Sequence, residues 1–140
     1  MTDFYFKSDL FEVEPGEDEE TNPQRYGKQL SQWLKTKFEG LGYGVEEVIP
    51  EDWGWCVMCQ RTPYSLWIGC GNMDEGDTET QFKNIPKKEE IIWHCFVVAE
   101  VPFFKRIFGK ADTADGIKKL TRELEKILTS EPAVTLVGEP

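Results

Sequence analysis

The sequence predicts an α+β fold, a mainly antiparallel β-sheet with two amphipathic helices on one face, formed as a single domain over residues 1–140. Three observations predict it. Two stretches, one in each half of the chain, repeat apolar residues at spacings of three and four, the helical period. Between them lie segments rich in tryptophan, valine and isoleucine, bounded by proline and glycine. The segments follow the order strand or strands, helix, three or four strands, helix, strand, which suits two layers around one core.

Residues 2–14 read as one long strand or as a hairpin turning at Ser8-Asp9, and Pro15-Gly16 stops them. Glu17, Asp18, Glu19 and Glu20 then form an exposed acidic loop. Asn22-Pro23 is a helix-start signature, with Asn22 as N-cap and Pro23 at the first helical position. Tyr26, Leu30, Trp33, Leu34, Phe38 and Leu41 build one apolar stripe, so a helix is predicted over 23–40, with Gly40 and Gly42 as its stop. Residues 45–49 read as a short strand ended by Pro50. Residues 53–61 and 64–70 read as two strands of a hairpin joined near Thr62-Pro63, and a polar loop runs from Gly71 to Lys88.

Residues 90–101 are apolar on both parities: Ile91, Trp93, Cys95, Val97 and Ala99 on one, Ile92, His94, Phe96 and Val98 on the other. A strand open to water on one side alternates, so this pattern predicts cover on both faces. Helices supply one cover. The other is a loop, the Phe103 to Phe108 segment or a second subunit. Ile117, Leu120, Leu124, Ile127 and Leu128 predict the last helix, capped by Asp112 or Thr113 and ended by Pro132, with Ala133 to Val137 returning as an edge strand.

The net charge of −10 is uneven: residues 1–70 carry 13 acidic and 6 basic side chains, residues 71–140 carry 13 and 10. Such a chain is repelled by phosphate backbones and by anionic membrane surfaces, which excludes nucleic acid and membrane as partners. A basic protein, in contrast, is attracted. No apolar run approaches the roughly 20 residues that span a bilayer, and Met1 to Tyr5 lack the features of a secretory signal, so a cytoplasmic location is expected.

The candidate chemistry centres on Glu51-Asp52-Trp53-Gly54-Trp55. Five tryptophans are present, and Trp53, Trp55, Trp67 and Trp93 fall in strand-like segments. Acid beside aromatic suits a cation, a sugar or an arginine side chain. Glu51, Asp52, Trp53, Trp55, Trp67 and His94 are therefore the candidate binding residues, and Glu17, Asp18, Glu19 and Glu20 a partner-steering loop. Cys56 and Cys59 form a C-x-x-C, but residues three apart in a strand point to opposite faces, and Gln60 to Pro63 form no helix as a redox motif requires. Buried reduced thiols are the simpler reading, and neither metal nor cofactor is expected. His94, the single histidine, could pair with Cys56 or Cys70 only if the strands bring them opposite one another. Known nucleophile, zinc-protease, P-loop and dinucleotide motifs are missing, so no catalytic residue is assigned.

The segment Glu14-Pro15-Gly16-Glu17-Asp18-Glu19-Glu20-Thr21-Asn22-Pro23, with Arg25-Tyr26-Gly27-Lys28 and Glu46 to Cys56, resembles a group of small uncharacterised bacterial proteins over roughly residues 10–75. The resemblance implies a bacterial cytoplasmic protein and carries no activity. Three function classes remain: an acidic, non-enzymatic protein-binding module, inhibitor- or immunity-like, acting on a basic partner; a small-molecule binder or enzyme with an aromatic and acidic pocket on the sheet; and a homodimer through the second sheet face.

Overall fold

In the computed structural model, which describes residues 2–73, 86–102 and 112–140, the chain runs β1 (Asp3–Ser8), α1 (Lys28–Gly40), β2 (Ile49–Glu51), β3 (Gly54–Gln60), β4 (Ser65–Asn72), β5 (Trp93–Glu100), α2 (Ala114–Ser130) and β6 (Val134–Val137), with single 3-10 turns at Glu17–Glu19 and Lys88–Glu90. The strands form one sheet in the order β2-β3-β4-β5-β1-β6. Every neighbouring pair is antiparallel. The predicted α+β class is the observed one. No helix among the described residues is long and apolar enough to cross a membrane.

Alternation along each strand sends one set of side chains to the helices. Phe4 and Phe6, Trp55, Val57 and Cys59, Leu66, Ile68 and Cys70, and Trp93, Cys95 and Val97 join Leu30, Leu34 and Phe38 of α1 and Leu120, Leu124 and Leu128 of α2 in one buried cluster. Full burial of each large aliphatic side chain stabilises the fold by about 1.5–3 kcal/mol. The helix of residues 114–130, the β3–β4 hairpin and the terminal edge strand follow the sequence reading. Thr113 is the N-cap of α2, without a side-chain cap hydrogen bond, and Asp112 before it accepts a hydrogen bond from the Ala114 N–H at 3.0 Å.

Several elements differ from the sequence reading. The first strand ends at Ser8, whose Oγ accepts the Leu10 N–H, so residues 9–14 are neither strand nor hairpin. The predicted strand over 45–49 is displaced: pairing with β3 begins at Ile49 and includes Pro50 and Glu51. Pro50 can lie within β2 because an edge strand has one side that needs no N–H donor.

The third difference is the start of α1. Asn22-Pro23 does form a turn, closed by Arg25 N–H to the Asn22 carbonyl at 2.9 Å. The backbone then leaves helical space at Gln24 (φ 68°) and at Gly27 (φ 140°), and the helix begins at Lys28. Gly27 is required twice over. Its φ disfavours any side chain, and a Cβ would stand 2.9 Å from the Cys70 carbonyl oxygen. Having no side chain, Gly27 cannot cap, and Glu17 does so from upstream. One Glu17 oxygen accepts the Gly27 and Lys28 N–H groups at 3.2 and 3.1 Å, and the other accepts the Glu14 N–H at 2.8 Å. These groups would otherwise include orphan donors of a helix N-terminus.

Of the loop predicted from Gly71 to Lys88, Gly71 and Asn72 instead continue β4, paired with His94 and Trp93; residues 74–85 and the Phe103 to Phe108 segment lie outside the described residues. On β5 itself, Trp93, Cys95 and Val97 are buried toward the helices, while Ile92, His94, Phe96 and Val98 on the other parity are half-buried.

Candidate functional site

The register of the strands, rather than any local motif, assembles a site on the sheet face away from the helices. Tyr5 pairs with His94, Phe96 with Gly69, and Val98 with Trp67, which pairs in turn with Met58. Parity therefore gathers Asp3, Tyr5, His94, Phe96, Trp67, Cys56 and Met58 on this face. Trp53 joins them from the tight Asp52-Trp53 turn between β2 and β3.

The rings form a continuous row. Tyr5 stacks on His94 with centroids 4.5 Å apart and planes 5° from parallel. His94 lies 5.0 Å from Phe96. Phe96 stands 5.9 Å from Trp67 and 5.3 Å from Trp53, and the two indoles stack at 5.5 Å. Offset stacks and edge-to-face contacts of this kind add about 0.5–1.5 kcal/mol each to area burial. All five rings remain half-exposed. Cys56 and Met58 are buried on the same face, at 4% and 8% exposure, so this side of the sheet has an apolar floor of its own.

Gly69 sets the height of the row. A Cβ there would fall 2.1 Å from the Phe96 Cζ atom, so the ring rests directly on the glycine backbone. Gly69→Ala is expected to lift Phe96 and disturb its packing with Trp53, Trp67 and His94, at a cost of about 1–3 kcal/mol from overpacking. The near-UV circular dichroism of the tryptophans should change while the far-UV spectrum is kept; an unchanged near-UV spectrum would show that the ring does not rest there.

Carboxylates border the row. Glu100 Oε1 accepts the Trp67 indole N–H at 3.3 Å. Asp3 Oδ1 lies 3.5 Å from His94 Nε2, without hydrogen-bond geometry. Burial, with the Glu139 and Asp3 carboxylates, pushes the Tyr5 phenol up from its ordinary value. Glu51 and Asp52 are exposed at the hairpin beside Trp53. Among the described residues, none of Asp3, Glu51, Asp52 and Glu100 has a lysine or arginine within ion-pair distance. Some acids elsewhere are paired, Glu46 with Arg61, Glu39 with Lys35, Glu12 with Lys88, and Glu14 and Glu20 with Lys28, while others, such as Asp9 and Glu47, have no ion pair among the described residues.

Of the sequence candidates, Trp53, Trp67 and His94 come together here, with Glu51 and Asp52 at the hairpin end. Trp55 does not join them. Its position in β3 turns it to the helix side, 2% exposed, with the Lys28 ammonium 5.6 Å from its ring. Tyr5, Phe96, Asp3 and Glu100 were not among the candidates. Their signal was the aromatic parity of residues 92–98, which needed the β1–β5 register to be read.

In the acidic loop one side chain departs from the expected exposure. Glu17 is 3% exposed and serves as the internal cap of α1. Asp18 accepts the Gln24 N–H at 3.0 Å, and Glu20 lies 3.6 Å from the Lys28 ammonium. Among the described residues, Glu19 of the four is exposed without such a partner. Asn72, on the helix side of β4, ties this loop to the sheet through Tyr26 N–H and the Gln24 carbonyl. The loop therefore belongs to the helix layer and not to the aromatic face.

The cysteines are all free and buried. Burial pushes the Cys56 and Cys59 thiols up to about 12 and raises Cys70 well above its ordinary value, so these sulfurs stay protonated at neutral pH. His94 stands in register with Gly71 and Tyr5, while Cys70 faces the helices. No group of three or more His, Cys, Asp or Glu side chains among the described residues could hold a metal ion. A cavity of about 340 Å³ opens between the C-terminal parts of α1 and α2, lined by Lys37, Leu41, Glu123, Lys126 and Ile127 among others, its charges of both signs interspersed. Comparison with known proteins gives no matching family model, no similar curated protein and no similar solved structure.

Proposed function

We propose that this chain is a non-enzymatic binding protein that holds a basic partner protein against the aromatic face of its sheet, in the manner of an inhibitor or an immunity protein. The observation that carries the reading is the row Tyr5, His94, Phe96, Trp67 and Trp53, bordered by carboxylates that have no lysine or arginine partner among the described residues. Tryptophan and tyrosine dominate binding hot spots because they bury much area with few rotors, and uncompensated acids select a basic surface and speed its approach. The net charge of −10 acts in the same direction at longer range. A two-fold contact of this face with a second copy would set Asp3, Asp52, Glu100 and Lys7 against the same groups, a poorer charge match than a basic partner.

Retention of proteins from host lysate on the immobilised chain tests this, run beside the triple variant Asp3→Asn, Asp52→Asn, Glu100→Gln. A basic protein retained by the wild type should be lost by the variant and weakened by raising salt from 50 to about 500 mM, where screening falls below about 5 Å. Retention indifferent to both would contradict the proposal.

A further inference from the structure

The same face indicates which basic group it takes, an inference that rests on the reading above. Outside the row, the chain covers aromatic rings with its own lysines: Lys28 lies 5.6 Å from the Trp55 ring, Lys37 5.5 Å from Trp33 and Lys119 5.9 Å from Tyr43. Among the described residues, none of the five rings of the row has such a cation. Their faces carry the negative side of the ring quadrupole and lie beside unpaired carboxylates, so a cation from outside gains from both.

We infer that the row receives arginine side chains of the partner, with a guanidinium stacked on the Trp53 and Trp67 pair and hydrogen-bonded to Glu100. Geometry separates arginine from lysine. Glu100 holds the Trp67 indole N–H through Oε1 at 3.3 Å, which fixes the carboxylate at the edge of the ring and leaves Oε2 without a partner among the described residues. A guanidinium is flat. Lying on an indole, it directs its N–H groups outward in its own plane, toward a carboxylate at the ring edge. An ammonium is a compact, strongly hydrated charge that cannot stack and donate along one plane together.

The test is titration of the protein with octa-arginine and octa-lysine, two probes of equal charge, followed by tryptophan emission at physiological salt. Wild type should bind octa-arginine about tenfold more tightly, the order of effect of one charge-assisted hydrogen bond with stacking. Glu100→Gln should remove that preference, and Glu19→Gln, which deletes the same charge on the helix side, should keep it. Equal binding of both probes overturns the arginine inference and leaves the basic-partner reading standing. A preference that survives Glu100→Gln, or that Glu19→Gln also abolishes, overturns the site assigned to it. Binding of neither probe overturns both.

Discussion

Replacement of Glu17 by alanine is expected to destabilise the protein by about 3 kcal/mol, because three backbone N–H groups lose their acceptor at a site 3% exposed. For a domain of this size that lowers Tm by about 10 °C. Glutamine should recover only part of the loss, since its amide nitrogen must face a donor where an oxygen stood. Thermal melts of the three proteins check the order wild type, glutamine, alanine; equal melting temperatures would remove Glu17 from the role of cap. The pH dependence adds a second signature. Burial holds the folded carboxyl above its ordinary value of 4.5, although hydrogen bonds from Glu14, Lys28 and Gly27 pull it down. The folded state therefore binds this proton more tightly than the unfolded chain does. The stabilisation this confers is complete below about pH 4.5 and is lost as pH rises through the folded value. The stability of wild type relative to Glu17→Gln should accordingly fall across that window.

The second large effect concerns binding. Trp53→Ala with Trp67→Ala should weaken the basic partner, or octa-arginine, by about 100-fold or more, the scale of hot-spot truncations. The fold should persist, because both rings are half-exposed and lie opposite the core formed by Trp55, Trp93 and the helices. Circular dichroism and the melting transition provide the control. Wild-type affinity in a folded double variant would move the contact surface elsewhere.

Helix α2 could be read directly from the sequence, because its apolar residues repeat at three and four and Pro132 stops it, whereas strand β5 stands out as a run apolar on both parities. The class followed from the order of such elements. The cap of α1 could not be read: Asn22-Pro23 carries the usual start signature, yet Gly27 must approach the Cys70 carbonyl, and the acceptor that completes the helix comes from a loop whose composition suggests solvent. A run of acids is usually solvated, and nothing local separates Glu17 from Glu19.

The aromatic site was half legible. Residue type points to Trp53, Trp67 and His94, and equally to Trp55, because parity in β3 means little until a register is known. Tyr5 and Phe96 belong to the row only through pairings between distant segments, β1 with β5 and β5 with β4. One signal was available. Phe96 alternates with Trp93 and Cys95 on a strand apolar on both parities, and a glycine in a neighbouring strand is where an aromatic ring can lie flat.

The indole N–H resonances locate the bound cation, because the five tryptophans divide between the two faces. Trp53 and Trp67 lie on the aromatic face, Trp55 and Trp93 are buried beneath the helices, and Trp33 packs on Phe11 in the helix layer. Titration of labelled protein with octa-arginine should shift or broaden the Trp53 and Trp67 signals and leave Trp55, Trp93 and Trp33 in place. Movement of Trp33 with Trp53 and Trp67 unchanged would put the basic ligand on the helix layer and contradict the account.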